Sequence, residues 1–252
     1  MRFTEIVAPS IKELFVRRIE DSILSGELPV GTRLPSEREL AEQMKISKTA
    51  VHAGITDMVR KGFLSVEPRR GIYVGDYAEN GTLEALTSIM QHNGGRLDAQ
   101  NVRSLLEMRY AIESIAIAHV AEAHDAAVLA RLSEMAADAQ RIAAAKAPDY
   151  CEALGDLYFR FHHYICVASG NTIAPLIFNA FRVPSVTFWE NSVRALGPEE
   201  SVARLRRFYD CIAAGDTAAA LGHLRHITDT SAAIVRGQKQ GQKQGQGQAG
   251  ET

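Results

Sequence analysis

The sequence predicts a mainly α-helical chain in two parts: an N-terminal winged helix-turn-helix (three helices plus a β-hairpin wing) and a C-terminal antiparallel all-α bundle. Three observations predict it. Leu34–Leu40 reads L-P-S-E-R-E-L, a helix start specified by its own side-chain chemistry. Two short β-prone runs, Phe63–Val66 and Gly71–Val74, come after three helical segments. Beyond Thr82 nearly everything is alanine- and leucine-rich, with few β-branched runs.

Taken in order, Ser10 to Ser25 places Ile11, Leu14, Phe15, Ile19 and Ile23 close to helical spacing. Gly26 ends that helix as a C-terminal glycine does, and Pro29 with Gly31 makes a turn. Pro35 disfavours helix at Leu34. Ser36 and Glu39 then have capping-box spacing, the hydroxyl capping the new helix while the carboxylate reaches back. This second helix runs to about Met44. After a break at Lys45-Ile46, Ser47 caps a third helix that reaches about Lys61 and stops at Gly62. Glu67-Pro68-Arg69-Arg70, between the β-prone runs, is a hairpin tip.

Gly75–Thr82 is polar and turn-rich, so the winged helix is assigned to residues 1–75 and a linker to 76–82. Helices are expected over 83–93, 98–123, 125–146, 149–169, 171–195, 198–214 and 216–236, which makes 83–236 one helical unit. Gly237–Thr252 repeats G-Q-K-Q with Ala249 as its single apolar residue. Such a stretch cannot bury enough surface to offset its ordering entropy, so a disordered tail is expected over 237–252. Lys239 and Lys243 leave a DNA-tethering arm open.

At 252 residues, 46% hydrophobic and 23% charged, the chain fits a soluble globular protein of one large or two modest domains. No apolar run is long enough for a membrane span, and Met1–Ser10 lacks an apolar signal core. Cys151, Cys166 and Cys211 show no CxxC spacing, which fits a reducing cytoplasm better than a disulfide framework or zinc finger. The net charge of −2 is unevenly spread: residues 1–75 hold 12 Lys and Arg against 10 Asp and Glu, a balance of +2 that leaves −4 for the rest. A mildly basic front on an acidic body suits a DNA reader with a separate sensing part, because local patches matter more than the total.

The third helix has two faces. Val51, Ile55, Met58 and Val59 form an inward stripe, while Lys48, Thr49, His52 and Thr56 fall opposite. A helix that enters the major groove of double-stranded DNA needs this split, with its N-terminal residues able to reach base edges. Arg69 and Arg70 suit the flanking minor groove or its phosphates. Arg38 stands on the first turn of the second helix, at an end that favours anions. Each of these residues alone is an ordinary solvated side chain. Their order along the chain carries the implication.

The run Ile23–Glu42 (I-L-S-G-E-L-P-V-G-T-R-L-P-S-E-R-E-L-A-E), followed by I-S-K-T-A-V-H-A-G-I, G-F-L and R-R-G-I-Y-V, closely resembles the DNA-binding part of the GntR family of bacterial transcription regulators. The resemblance extends to Val74. It implies that Arg38 contacts DNA backbone or bases, that Ser47, Lys48, Thr49 and His52 hold recognition-helix positions, and that Gly71 is the wing glycine. Many relatives have S-R and V-R-E-A-L where this chain has Ser47-Lys48 and Val51-His52-Ala53-Gly54-Ile55. Lysine lacks the bidentate fork of arginine, and histidine is near-neutral at physiological pH, so the operator sequence does not carry over from relatives. Glycine in a helix costs about 1 kcal/mol relative to alanine, and close approach of the second helix is the expected compensation at Gly54.

Glu107-Met108-Arg109 with Glu113, and Phe161–Ile177 with its A-S-G-N at Ala168–Asn171, resemble the all-helical effector domain (FCD domain) of the FadR branch of that family. This implies a helical bundle with a central cavity, and a homodimer. Many members of the branch hold a divalent metal by one aspartate and three histidines. Here the aspartate position is Tyr158, and the histidine positions are His162, Leu205 and Ile227, or His226 if one residue is missing. His162 is therefore either a degenerate metal ligand or a polar cavity-lining or core histidine, and no cofactor or metal is expected. Loss of the metal set resembles the acyl-CoA-responsive, metal-free members. Phe178, Phe181, Phe188 and Trp189 have the matching aromatic content, although phenylalanines at helical spacing are more often core.

Arg109, Tyr158, His162, Asn171 and Arg182 are the candidate effector residues, since one charged group commonly fixes an acidic ligand. For Arg109 an intrahelical pair with Glu113 is equally open. No nucleophile elbow, P-loop, dinucleotide fingerprint or HExxH is present, so no enzyme is expected. The expectation is a cytoplasmic, homodimeric DNA-binding repressor of a palindromic operator, without membrane contact. A small organic acid or acyl-CoA in the helical part would control its affinity. Two alternatives stand beside it: a metal-dependent carboxylate sensor with an unusual ligand set, and a constitutive dimeric repressor without a ligand.

Overall fold

The computed structural model describes residues 8–92 and 99–229. The first unit opens with α1 (Ile11–Leu24), α2 (Glu37–Met44) and α3 (Lys48–Lys61). Ser10 and Ser36 each close a full capping box, with Glu13 and Glu39 returning to the cap backbone. Lys45, in the left-handed region at φ 53°, ends α2, and Gly62 at φ 89° ends α3. Strands β1 (Leu64–Glu67) and β2 (Gly71–Val74) pair antiparallel, Leu64 opposite Val74 and Glu67 opposite Gly71. The first strand begins one residue later than its hydrophobic pattern suggests, because Phe63 is fully buried and packs against Tyr77, ring centroids 5.3 Å apart.

Two local expectations change. Val59 is 38% exposed, so the inward stripe of α3 is Val51, Gly54, Ile55 and Met58. Gly54 does permit a close approach, but of α1 and not of the second helix: a Cβ there would overlap the Phe15 ring and touch Val16.

The expected linker over 76–82 is not a free connector. Asp76 caps a short helix α4 (Tyr77–Asn80) through Ala78 and Glu79, and Tyr77 rests on the core. Helix α5 (Leu83–Gln91) then puts Ala85 into the core of the first unit, with Ile89 packed against it. Polar bonds hold it there as well: Lys61 Nζ donates to Glu20 at 2.9 Å and to Ser88 at 3.2 Å. The chain divides into compact units after His92 and not at the polar stretch, because an amphipathic helix follows that stretch and buries its apolar face backwards.

The second unit is all-helical among its described residues: α6 (Ala99–Ala123), α7 (Ala126–Ala145), α8 (Tyr150–Ala168), α9 (Ala174–Ala180), α10 (Arg182–Leu196), α11 (Pro198–Ala213) and α12, residues 217–229. Helix α8 is central, packing against α6, α7, α9 and α10, with Leu154, Leu157, Phe161 and Ile165 essentially inaccessible. Gly155 permits the crossing with α10, where a Cβ would lie 2.8 Å from Glu190 Cγ. The single helix expected over 171–195 is two. Asn171 Oδ1 accepts from the Ile173 and Ala174 amides at 2.9 Å, so helix begins only at Ala174. Pro184 lacks the N–H that would bond the residue 180 carbonyl, and the chain breaks between α9 and α10. The expected helix end over 230–236 and the tail over 237–252 lie outside the described residues. No described helix is long and apolar enough to cross a membrane, and all three cysteines are free thiols.

Candidate nucleic-acid interface and ligand cavity

On the first unit, Lys48, Thr49, His52 and Thr56 are all exposed on one side of α3. The Ser47 hydroxyl accepts from the Ala50 amide at 3.1 Å, so it caps the helix and retains its own proton for donation. His52 Nδ1 lies 2.8 Å from Glu37 Oε1, tying the recognition-helix face to the first turn of α2. Arg38 projects with its side chain 76% exposed and pairs loosely with Glu42 at 3.3 Å. The capping bonds from Ser36, side chain first, hold the Glu39 carboxyl below the usual carboxylate range.

The hairpin tip is built by Pro68, with the Arg70 amide donating to the Glu67 carbonyl at 3.1 Å. Arg69 takes the turn position with positive φ, 62°, where glycine or asparagine is usual. Holding a non-glycine residue there costs about 1–2 kcal/mol. Arg70 is exposed and pairs with Glu67 at 2.8 Å. Gly71, at φ 127°, faces the Arg33 guanidinium. Arg33 was not among the sequence candidates, yet it is exposed, bridges to Tyr73 and shares a groove with Ser36, Glu37, Arg69 and Arg70. Its signal was present as the lone basic residue immediately before L-P-S-E-R. Glu37, the partner of His52, gave no such signal.

In the second unit the candidate residues separate. Arg109, at 2% exposure, donates from Nε and Nη2 to Glu113 Oε1 at 3.1 and 2.8 Å. The intrahelical pair therefore forms, deep in the core and not on the surface. Glu113 Oε2 also takes His162 Nδ1, and the Arg109 guanidinium lies 4.2 Å from the Trp189 ring centroid. Burial pushes the Glu113 carboxyl upward, but the charges of His162 and then Arg109 outweigh it and hold the pKa at about 2. His162 is sandwiched between Trp189 and Phe208, ring centroids at 5.0 and 5.4 Å. Beside it, burial and the Glu113 charge raise the Cys166 thiol to about 12, which makes it a poor nucleophile.

Tyr158 and His162, one turn apart on α8, line a cavity of about 40 Å³. Trp189 from α10, Ser201 and Arg204 from α11, and Ile227 from α12 also face it. Asn171 and Arg182 do not. Asn171 caps α9, and Arg182 lies over the Phe159 ring and bonds Asp156 at 2.6 Å, on the surface. Arg109 is adjacent but sequestered by Glu113 and is not a wall of the cavity. Ser201 was missed because nothing local marks it.

Tyr158, His162, Leu205 and Ile227 converge on this one cavity, with Ile227 and not His226 the fourth position. A phenol, one imidazole and two aliphatic side chains do not make a metal site, and no group of three or more His, Cys, Asp or Glu among the described residues is placed to hold an ion. The alternative of a metal-dependent sensor with an unusual ligand set thus has no donor set behind it among the described residues.

The model for bacterial regulatory proteins of the gntR family matches residues 12–74, and that for the FCD domain matches residues 104–230. The HTH-type transcriptional regulator Mce2R of Mycobacterium tuberculosis is 27% identical over 219 residues, covering 86% of this chain and 88% of that protein. The fatty acid metabolism regulator protein of Salmonella newport is 29% identical over 168 residues, covering 65% of this chain and 64% of that one. In fold the chain is similar to the solved structure of Lar, which controls expression of the Listeria monocytogenes agr system: TM-score 0.63 at 16% identity, covering 92% of this chain and 99% of that one. With a DNA-binding model matched on its first unit and an effector-domain model on its second, the chain belongs to the GntR family of bacterial transcription regulators and carries an FCD domain.

Proposed function

We infer that this regulator is a homodimeric, cytoplasmic repressor of a palindromic operator, and that a small acidic ligand in the helical unit controls it. The observation that carries the DNA reading is the shared exposure of Lys48, Thr49 and His52 on α3, with the arginine-tipped hairpin on the same compact unit. Lys48, Thr49 and His52 read base edges in the major groove. Arg38, Ser47, Arg69, Arg70 and the backbone at Gly71 contact phosphate or minor groove. The cavity beside His162, Tyr158 and Arg204 supports the ligand reading. At about 40 Å³ it admits a few waters and falls far below the several hundred Å³ of an ordinary ligand pocket. A ligand enters by displacing wall helices, and that displacement is the signal passed to the reading heads.

The test is a gel-shift series on the full chain. Arg38→Ala is expected to weaken operator and unrelated DNA alike, whereas Lys48→Ala shifts the motif selected from a randomised pool. Arg38→Ala binding as wild type, with an unchanged motif from Lys48→Ala, removes the assigned contacts. Release of operator by none of a panel of organic acids and acyl thioesters favours the constitutive repressor, a reading that the small cavity also supports.

A further inference from the structure

Four side-chain polar atoms among the described residues are buried without a hydrogen-bond partner: Tyr158 Oη, His163 Nε2, Ser185 Oγ and Ser201 Oγ. Two of these, Tyr158 Oη and Ser201 Oγ, belong to walls of the same cavity, and both residues are at least nine-tenths buried. A buried hydroxyl without a partner is costly, and two on one small cavity mark a place built to receive an acceptor.

The charge of that acceptor follows from the cationic wall. Arg204 lines the cavity and bonds Glu200 through Nε at 2.9 Å, which leaves its Nη nitrogens outside that bond. Arg207 Nη2 shares the same Glu200 oxygen at 2.9 Å. Two guanidiniums on one carboxylate leave one uncompensated positive charge. Deeper in, Glu113 is fully taken up by Arg109 and His162, so it adds no free negative charge. Of the other lining residues, His162 is already engaged with Glu113 and Ser192 is uncharged, while Trp189, Leu196, Leu205, Phe208 and Ile227 are apolar or weakly polar. A second charge on a ligand would be desolvated against these side chains without a partner.

We propose that Tyr158, Ser201 and Arg204 form a metal-independent anchor for one carboxylate, and that the apolar walls select a ligand with a hydrocarbon body and a single negative charge. This deepens the ligand-controlled reading above and rests on it. It separates an apolar monocarboxylate from a dicarboxylate, a metal-chelating hydroxy acid and a nucleotide-bearing thioester. The hydroxyls and the Arg204 fork donate to the carboxylate oxygens, and the hydrocarbon body displaces the aromatic and aliphatic walls.

The test is calorimetric titration and thermal shift of the full chain with octanoate, octanamide, suberate and octanoyl-CoA, with and without chelator. Octanoate is expected to bind and to raise Tm equally in the presence of chelator, with octanamide and suberate at least about tenfold weaker. Tyr158→Phe with Ser201→Ala is expected to weaken octanoate at least about tenfold while the unliganded Tm holds or rises, because an unpartnered buried hydroxyl has been removed. Arg204→Gln is expected to abolish the preference of acid over amide. Octanamide equal to octanoate, binding only of the CoA thioester, chelator sensitivity, unchanged affinity in the double variant, or a fall in its unliganded Tm overturns the anchor. Operator release is read separately: octanoate that binds without releasing operator leaves the anchor standing and removes ligand control, whereas release by another compound class with no octanoate binding does the reverse.

Discussion

Arg69 holds a left-handed backbone at the tip of the hairpin, where its side chain is exposed. The DNA contact proposed for Arg69 would account for strain retained at an exposed tip. Arg69→Gly is therefore expected to raise stability by about 1 kcal/mol, seen as an increase in Tm, while DNA affinity falls and its salt slope drops by about one phosphate contact. Loss of both stability and affinity would contradict that account. Glu113 is the opposite case, a buried charge held by Arg109 and His162. Its folded-state pKa of about 2 lies below the ordinary 4.5, so its stabilisation is complete above about pH 4.5 and is lost as pH falls through about 2. Acid unfolding of the full chain tests this, with a steepening over that window that is absent in Glu113→Gln. That variant leaves Arg109 buried beside a neutral amide, and a loss of about 3–5 kcal/mol in denaturant unfolding is expected.

At the scale of elements, α1 and α3 meet through the missing Cβ of Gly54. Gly54→Ala gains helix propensity but overlaps Phe15, and overpacking of this kind costs about 1–3 kcal/mol. A smaller side chain at the other end, as in Gly54→Ala with Phe15→Leu, is expected to recover part of the loss in a double-mutant cycle; simple additivity would place the cost elsewhere. The elements of the first unit were legible in the sequence because their determinants are local. Ser36 reaches only to Glu39, Gly62 closes its own helix, and Pro68 makes its own turn. The α9–α10 break was missed although Pro184 announced it, because the apolar pattern runs on through both helices. The cavity was legible only in part. Arg109 and Glu113 are one turn apart and visible as a pair, but His162 lies 49 residues further on. Neither Trp189 nor Ser201 carries any local mark of facing it.

For the whole molecule, the expected assembly is a dimer, because one reading head contacts too short a stretch of DNA for specific binding. Light scattering is expected to give twice the 27.6 kDa chain mass at working concentration, and protection of DNA in two half-sites about one helical turn apart would accompany it. A mass of 27.6 kDa with an undivided footprint would remove the dimer. The seating of α5 on the first unit has a further consequence for exchange of parts between regulators. A splice at the polar stretch around residue 76, where composition invites one, severs Ala85, Ile89 and Ser88 from the surface they cover and uncovers apolar side chains on the donated piece. The transferable unit extends to His92. A recombination event within 76–82 thus delivers an aggregation-prone fragment, whereas one after α5 delivers a reading head with its own lid of helix intact, and hybrids of this lineage that survive should carry their junctions there.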